Sequence, residues 1–171
     1  MLIRAAILER VGGIDGIRRE IIDDCALARR VKSVGKIWLG PSAHTISIRE
    51  YRSWRAIWDM IVRSAFAQLG YSPGMLALTV LLLALIYLAP PLLLVAQAPA
   101  TMLCGGAAWL GMSIAFLPTL RAYDTPRSLA LLLPLIALFY VAATVASAVL
   151  FWRGRGGYWK GRFQAAAPDS L

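Results

Sequence analysis

The stretch MLALTVLLLALIYLAPPLLLVAQ, residues 75–97, decides what kind of protein this is. It is uncharged, and at about 1.5 Å per helical residue it is long enough to cross about 30 Å of hydrocarbon. Two further apolar stretches follow, at about 100–118 and 128–151, and between Gly74 and Trp152 only Arg121, Asp124 and Arg127 carry charge. Apolar residues make up 59% of the 171-residue chain, and the mean hydropathy is +0.65. Such a composition excludes an ordinary soluble domain and predicts an α-rich membrane protein. Pro90-Pro91 removes two backbone donors from the first stretch, which therefore reads as one kinked crossing or as a short helix with a re-entrant piece. The small residues Gly105-Gly106-Ala107-Ala108 and Gly111 in the second stretch suit close helix contact.

Working outward, residues 50–73 form an amphipathic segment. Trp54, Ile57, Trp58, Ile61, Ala65 and Leu69 recur at spacings of three and four, with Arg52, Arg55, Asp59 and Arg63 largely off that face. Tryptophan on an apolar stripe rimmed by arginine predicts a helix lying in the membrane interface, with a buried core helix as the alternative. On the other side, residues 153–171 are a tail with a basic, aromatic start. Three full crossings place the front segment and this tail on opposite sides, yet both are basic, and short positive flanks prefer the cytoplasm. Either the tail is an exception or one of the first two stretches does not cross.

The front segment, residues 1–49, is mixed and charged. Ala5–Val11 reads as a helix stopped by Gly12-Gly13, and a helical turn is expected over Gly16–Ile21. A helix follows from about Asp24 to Val34, stopped by Gly35. Lys36–Leu39 and Thr45–Ile48 read as short strands about the Gly40-Pro41-Ser42 turn. The adjacent carboxylates Asp23 and Asp24 sit where loop becomes helix. Acidic groups there are favoured by unpaired N–H groups and the helix dipole, so spacing alone points first to a cap and second to a catalytic carboxylate. A soluble part of roughly 70 residues is too small to enclose both a nucleotide and a second substrate. Cys25 and Cys104 fall in different parts and lack metal-ligand spacing, and His44 stands alone as a loop or strand-end histidine. The net charge of +9 is clustered beside apolar stretches, pointing to membrane lipid head groups rather than nucleic acid. No secretory signal pattern opens the chain.

Four stretches taken together resemble the C-terminal portion of membrane-bound family-2 glycosyltransferases, nearest the hopene-associated branch of hopanoid-producing bacteria. They are Met1-Leu2-Ile3-Arg4, Glu9-Arg10-Val11-Gly12-Gly13, Ile22-Asp23-Asp24-Cys25-Ala26-Leu27-Ala28 and Arg63-Ser64-Ala65-Phe66-Ala67-Gln68-Leu69-Gly70-Tyr71-Ser72. Trp159-Lys160-Gly161-Arg162 is similar to the ending of the same group. The resemblance implies that residues 1–49 are the remnant of a GT-A (α/β) domain on the cytoplasmic face of the bacterial inner membrane, followed by an interfacial helix and about three transmembrane helices. It implies an inverting transfer of a hexose from a nucleotide sugar to a lipid acceptor, with Asp24 as base, Leu27 as the leucine of the acidic motif and Asp23 as the preceding acidic position. Of the family's Gln-x-x-Arg-Trp-type motif only Arg63 is matched, in Met60-Ile61-Val62-Arg63-Ser64, as an acceptor or diphosphate contact beside Asp23.

The family's Asp-x-Asp, which holds a divalent metal (Mg or Mn) at the donor diphosphate, has no counterpart in this sequence. The chain therefore reads as the back end of such an enzyme, a C-terminal fragment that lacks the donor site and its metal and is inactive alone. The alternative is a small non-catalytic membrane scaffold or subunit.

Overall fold

The computed structural model describes residues 2–17, 20–40, 53–159 and 162–165. The chain divides into two compact units, one of residues 1–68 with 147–171 and one of residues 69–146.

The first unit opens with α1 (Ala5–Arg10). Gly12 (φ +83°) and Gly13 (φ +70°) end it in left-handed conformations, and the Gly13 N–H reaches back to the Leu8 carbonyl at 2.9 Å. Only glycine takes two such positions in succession cheaply. A 3-10 turn, Asp15–Ile17, buries Ile17, and α2 (Asp23–Val34) follows, packed against α1 and against this turn. The next helix is α3 (Trp54–Gln68). Within the same unit it meets residues 147–152, the end of the last long helix, whose C-terminus is closed by Gly154 (φ +68°) and a 2.8 Å bond from Arg155 N–H to the Leu150 carbonyl. Gly154 turns the chain into an antiparallel hairpin, β1 (Gly156–Trp159) with β2 (Arg162–Ala165), in the register Tyr158 to Phe163. β1 packs against α3.

The second unit holds most of the apolar sequence. Ser72 caps α4 (Pro73–Leu83), its Oγ accepting from the Met75 N–H at 3.3 Å, with Pro73 at a position where no donor is needed. A π turn (Ala84–Leu88) leads into α5 (Ala89–Leu93), so one helical run spans Pro73–Leu93. α6 (Pro99–Ala122) comes next, and a 3-10 turn (Arg127–Leu132) then enters α7 (Leu133–Trp152). Three runs, Pro73–Leu93, Pro99–Ala122 and Arg127–Trp152, are long and apolar enough to cross a membrane. The fold is that of an α-rich membrane protein.

Helix contact in this unit is set by Gly105, which is buried against α5. A Cβ there would stand 2.7 Å from the Pro90 carbonyl oxygen and 2.7 Å from Leu93 Cβ. Gly111 meets nothing within 4 Å, so the small-residue cluster acts through its first member. Several polar groups in the apolar sequence bond internally, as lipid requires. Ser113 Oγ donates to the Trp109 and Ala130 carbonyls at 2.8 and 3.1 Å, and Trp109 Nε1 donates to the Leu131 carbonyl at 3.2 Å.

Several sequence expectations are corrected. The first stretch is helical to Leu93 rather than to near residue 97, and of the two readings offered for Pro90-Pro91 the helical run is continuous through the prolines. The π turn just ahead, in which the Ala89 N–H bonds the Ala84 carbonyl, widens the helix where proline rings would otherwise collide with preceding carbonyls. Pro118 does not end α6, which runs one further turn to Ala122. Lys36–Leu39 is not a strand: it lies outside regular structure, with Trp38 81% and Leu39 98% exposed. A strand needs a paired neighbour, and its expected partner, Thr45–Ile48, lies outside the described residues, as do Glu50–Arg52 and His44. Where a helical turn is expected over Gly16–Ile21, the described residues hold a 3-10 turn at Asp15–Ile17, and residues 18 and 19 lie outside the described residues. The ladder found among the described residues is the C-terminal hairpin, in a tail read only as basic and aromatic.

Candidate functional site

α2 begins without a capping side chain at Ile22, which leaves the first N–H groups of the helix to other acceptors. Asp23 and Asp24 take two of them. The Asp24 N–H donates to Asp23 Oδ1 at 2.9 Å, and the Cys25 N–H donates to Asp24 Oδ1 at 2.8 Å. Each carboxylate is thus steadied through one oxygen by the backbone while the side chain remains exposed. Chemically, the arrangement offers two oriented, accessible oxygen acceptors at a helix mouth.

The loop ahead of this pair is tied to the helix body. Arg30 Nη2 donates to the Gly16 carbonyl at 2.7 Å, and the guanidinium covers Gly16 so closely that a Cβ there would collide with it. Gly16 is therefore needed for Arg30 to lie across the turn. Beyond it, Ile17 is buried and the chain enters α2 three residues after Glu20. The cap reading and the carboxylate reading of Asp23 and Asp24 coexist in this geometry, because capping occupies only one oxygen of each.

Arg63 belongs to a different packing group. It lies on α3, half-buried, with Nε out of solvent, three residues before Phe66. α2 packs on α1 and the 3-10 turn, whereas α3 packs on β1. Asp23 and Asp24 stand side by side at the start of α2, and Arg63 lies on α3. Cys25, beside Asp24, and Cys104 are both exposed free thiols.

Among the described residues no three His, Cys, Asp or Glu side chains gather as metal ligands. Asp23 and Asp24 alone, each with one oxygen held by a helix amide, do not make a site for the divalent ion implied by the sequence resemblance, and no step is routed through a metal.

Two features escaped the periodicity of the sequence. Phe66, 1% exposed, lies one residue off the apolar stripe of α3, about 100° around the helix. Its ring meets Phe151 edge-on at 5.4 Å and Trp152 at 5.5 Å. The Arg30 contact with Gly16 was the other, and the Gly-rich loop preceding α2 was its only local signal.

Comparison with known proteins gives one match. The family model described as glycosyl transferase family 21 matches residues 1–157, covering the front segment, α3, all three apolar runs and the start of β1. Neither the curated proteins nor the solved structures provide a match. The resemblance to family-2 enzymes shares the glycosyltransferase class with this result, and the family named by the match is family 21. With its exposed acidic pair at the start of α2 and its membrane-length helices behind, this chain belongs to glycosyl transferase family 21.

Proposed function

We propose that this chain forms the acceptor side and membrane anchor of an inverting glycosyltransferase that moves a hexose from a nucleotide sugar to a lipid, a hopanoid-related lipid being the acceptor that the resemblance suggests. The observation that carries the reading is the exposed, backbone-steadied Asp24 at the mouth of α2 in a chain of this family. In the reaction the acceptor oxygen attacks the anomeric carbon. The bond from that carbon to the diphosphate oxygen breaks, and the nucleoside diphosphate leaves with the electron pair. Asp24 takes the acceptor proton through its free oxygen. Asp23, one residue earlier, and Arg63 on α3 are proposed as acceptor or diphosphate contacts, Arg63 by charge and hydrogen bonding to an anionic group.

In this reading α3 lies in the interface of the bacterial inner membrane. The front segment, a GT-A remnant, faces the cytoplasm, where the basic flanks favour it. A lipid acceptor presents its hydroxyl at the head-group level, which suits a carboxylate carried close to such a surface. The nucleotide sugar and a divalent metal, Mg or Mn, are held by residues other than those described here.

The test is Asp24→Asn in an enzyme containing this chain. Loss of the base lowers turnover by about 10²–10⁴-fold, while membrane insertion and expression stay as in the parent. Unchanged turnover in the variant overturns the assignment.

A further inference from the structure

We propose that α3 and the C-terminal hairpin lie on the same side of the membrane, so that residues 73–152 make an even number of crossings and one of the three membrane-length runs turns back without traversing. This rests on the apolar runs being membrane-embedded and stands independently of the assignment of Asp24.

Phe66 and the end of the third run are in direct contact within the first unit: the Phe66 ring lies 5.4 Å from Phe151 and 5.5 Å from Trp152, and the Phe66 N–H donates to Ser147 Oγ at 3.1 Å. Phe66 is only seven residues ahead of Pro73, where the first run begins. Even fully extended, seven residues reach no more than about 25 Å, short of about 30 Å of hydrocarbon. The backbone here is far from extended, since α3 continues to Gln68 and the Ser72 N–H bonds the Leu69 carbonyl at 3.2 Å. The start of the first run and the end of the third therefore share one interface. Three complete crossings would hold them a full bilayer apart.

The hairpin makes the same point from the other side of the contact. Gly154 turns the chain directly out of α7, and β1 returns to pack on α3 rather than leading away from it. Trp152 and then Arg153 and Arg155 follow the last apolar residues, an aromatic and basic flank of the kind that sits at the head-group level. With an even number of crossings, Arg55 on α3 and Arg153 and Arg155 in the tail all face one leaflet, so both short basic flanks obey the positive-inside preference. Helix length does not oppose this, because a run long enough to cross is also long enough to lie along the interface or to re-enter it.

The experiment uses the full chain in membrane vesicles, with Cys104→Ser leaving Cys25 as reporter of the front segment. A second protein, Cys25→Ser with Cys104→Ser and Arg155→Cys, reports the tail. A membrane-impermeant maleimide is applied to right-side-out and inside-out vesicles. The expected result is that both cysteines label in the same vesicle orientation, the one exposing the cytoplasmic face. Labelling in opposite orientations, or labelling of either cysteine in both orientations, overturns the proposal. Ser170→Cys in the same background gives an independent tail reporter if Arg155→Cys fails to accumulate.

Discussion

The backbone N–H of Phe66, near the end of α3, donates to the hydroxyl of Ser147, in the last long helix, at 3.1 Å, across 81 residues of sequence. Both residues are buried, and the Phe66 ring sits edge-on to Phe151 and Trp152 in the same contact. One hydrogen bond and three aromatic rings thus join the end of α3 to residues 147–152 within the first unit.

Phe66→Ala is expected to destabilise the protein by about 3–5 kcal/mol, through lost burial and the cavity left between Phe151 and Trp152. Thermal unfolding in detergent, followed by retention of the monodisperse species, measures it. Ser147→Ala removes one acceptor and is expected to cost about 1 kcal/mol. A Phe66→Ala variant as stable as the parent would show that this contact does not hold the unit together.

Gly105 and Gly111 make a paired test of helix packing. Gly105→Ala forces its methyl against the Pro90 carbonyl and Leu93, and is expected to cost about 1–3 kcal/mol. Gly111→Ala meets open space and removes a helix glycine, so its expected effect is a gain of up to about 1 kcal/mol. The same detergent melting assay reads both, and equal effects at the two sites would refute the close approach of α5 and α6.

Arg30→Ala releases the guanidinium from the Gly16 carbonyl. The loss expected for this exposed bond is no more than about 0.5–1.5 kcal/mol. Amide exchange should rise in residues 13–17 and at the start of α2 while α3 is unaffected. Unchanged exchange there would mean that Arg30 does not restrain the approach to Asp23 and Asp24.

The cap and base roles of Asp24 separate by substitution. Asp24→Asn keeps an oxygen that can accept from the Cys25 N–H and gives up only the charge at the helix start, worth about 0.3–1 kcal/mol. Asp24→Ala loses the bond as well, at a further cost of about 0.5–2 kcal/mol by analogy with capping residues. Stability by thermal melting is expected to fall in the order parent, Asn, Ala, while both variants lose transfer. An Asn variant that melts like the Ala variant would place the stabilising effect in the charge alone.

Much of the architecture was legible without coordinates, because long apolar runs and glycine or proline breaks act locally. The helix over Asp23–Val34 begins at its acidic residues and ends at Gly35, and the three membrane-length runs fall where hydropathy puts them. The prolines were harder to read. Pro90-Pro91 and Pro118 look like breaks in sequence, yet a π turn and one further helical turn accommodate them, since in an apolar setting the backbone must keep its hydrogen bonds internal. Lys36–Leu39 had strand-like composition without a strand's pairing, and composition carries no information about a partner.

For the site, the sequence located Asp23 and Asp24 at a loop-to-helix boundary, and family resemblance, not spacing, raised them above a cap. The family match extends that class assignment over residues 1–157. By itself, then, the sequence determined an α-rich membrane protein of glycosyltransferase type with an acidic pair at a helix mouth, because hydropathy, capping and family motifs are all written in residues close together along the chain. Only the tertiary structure decided that Phe66, off the Trp54 stripe, is the most buried side chain of α3, that β1 folds back onto α3, and that α3 meets residues 147–152. Those outcomes depend on groups more than 80 residues apart finding complementary surfaces, and no local pattern encodes which distant partner a buried ring will find.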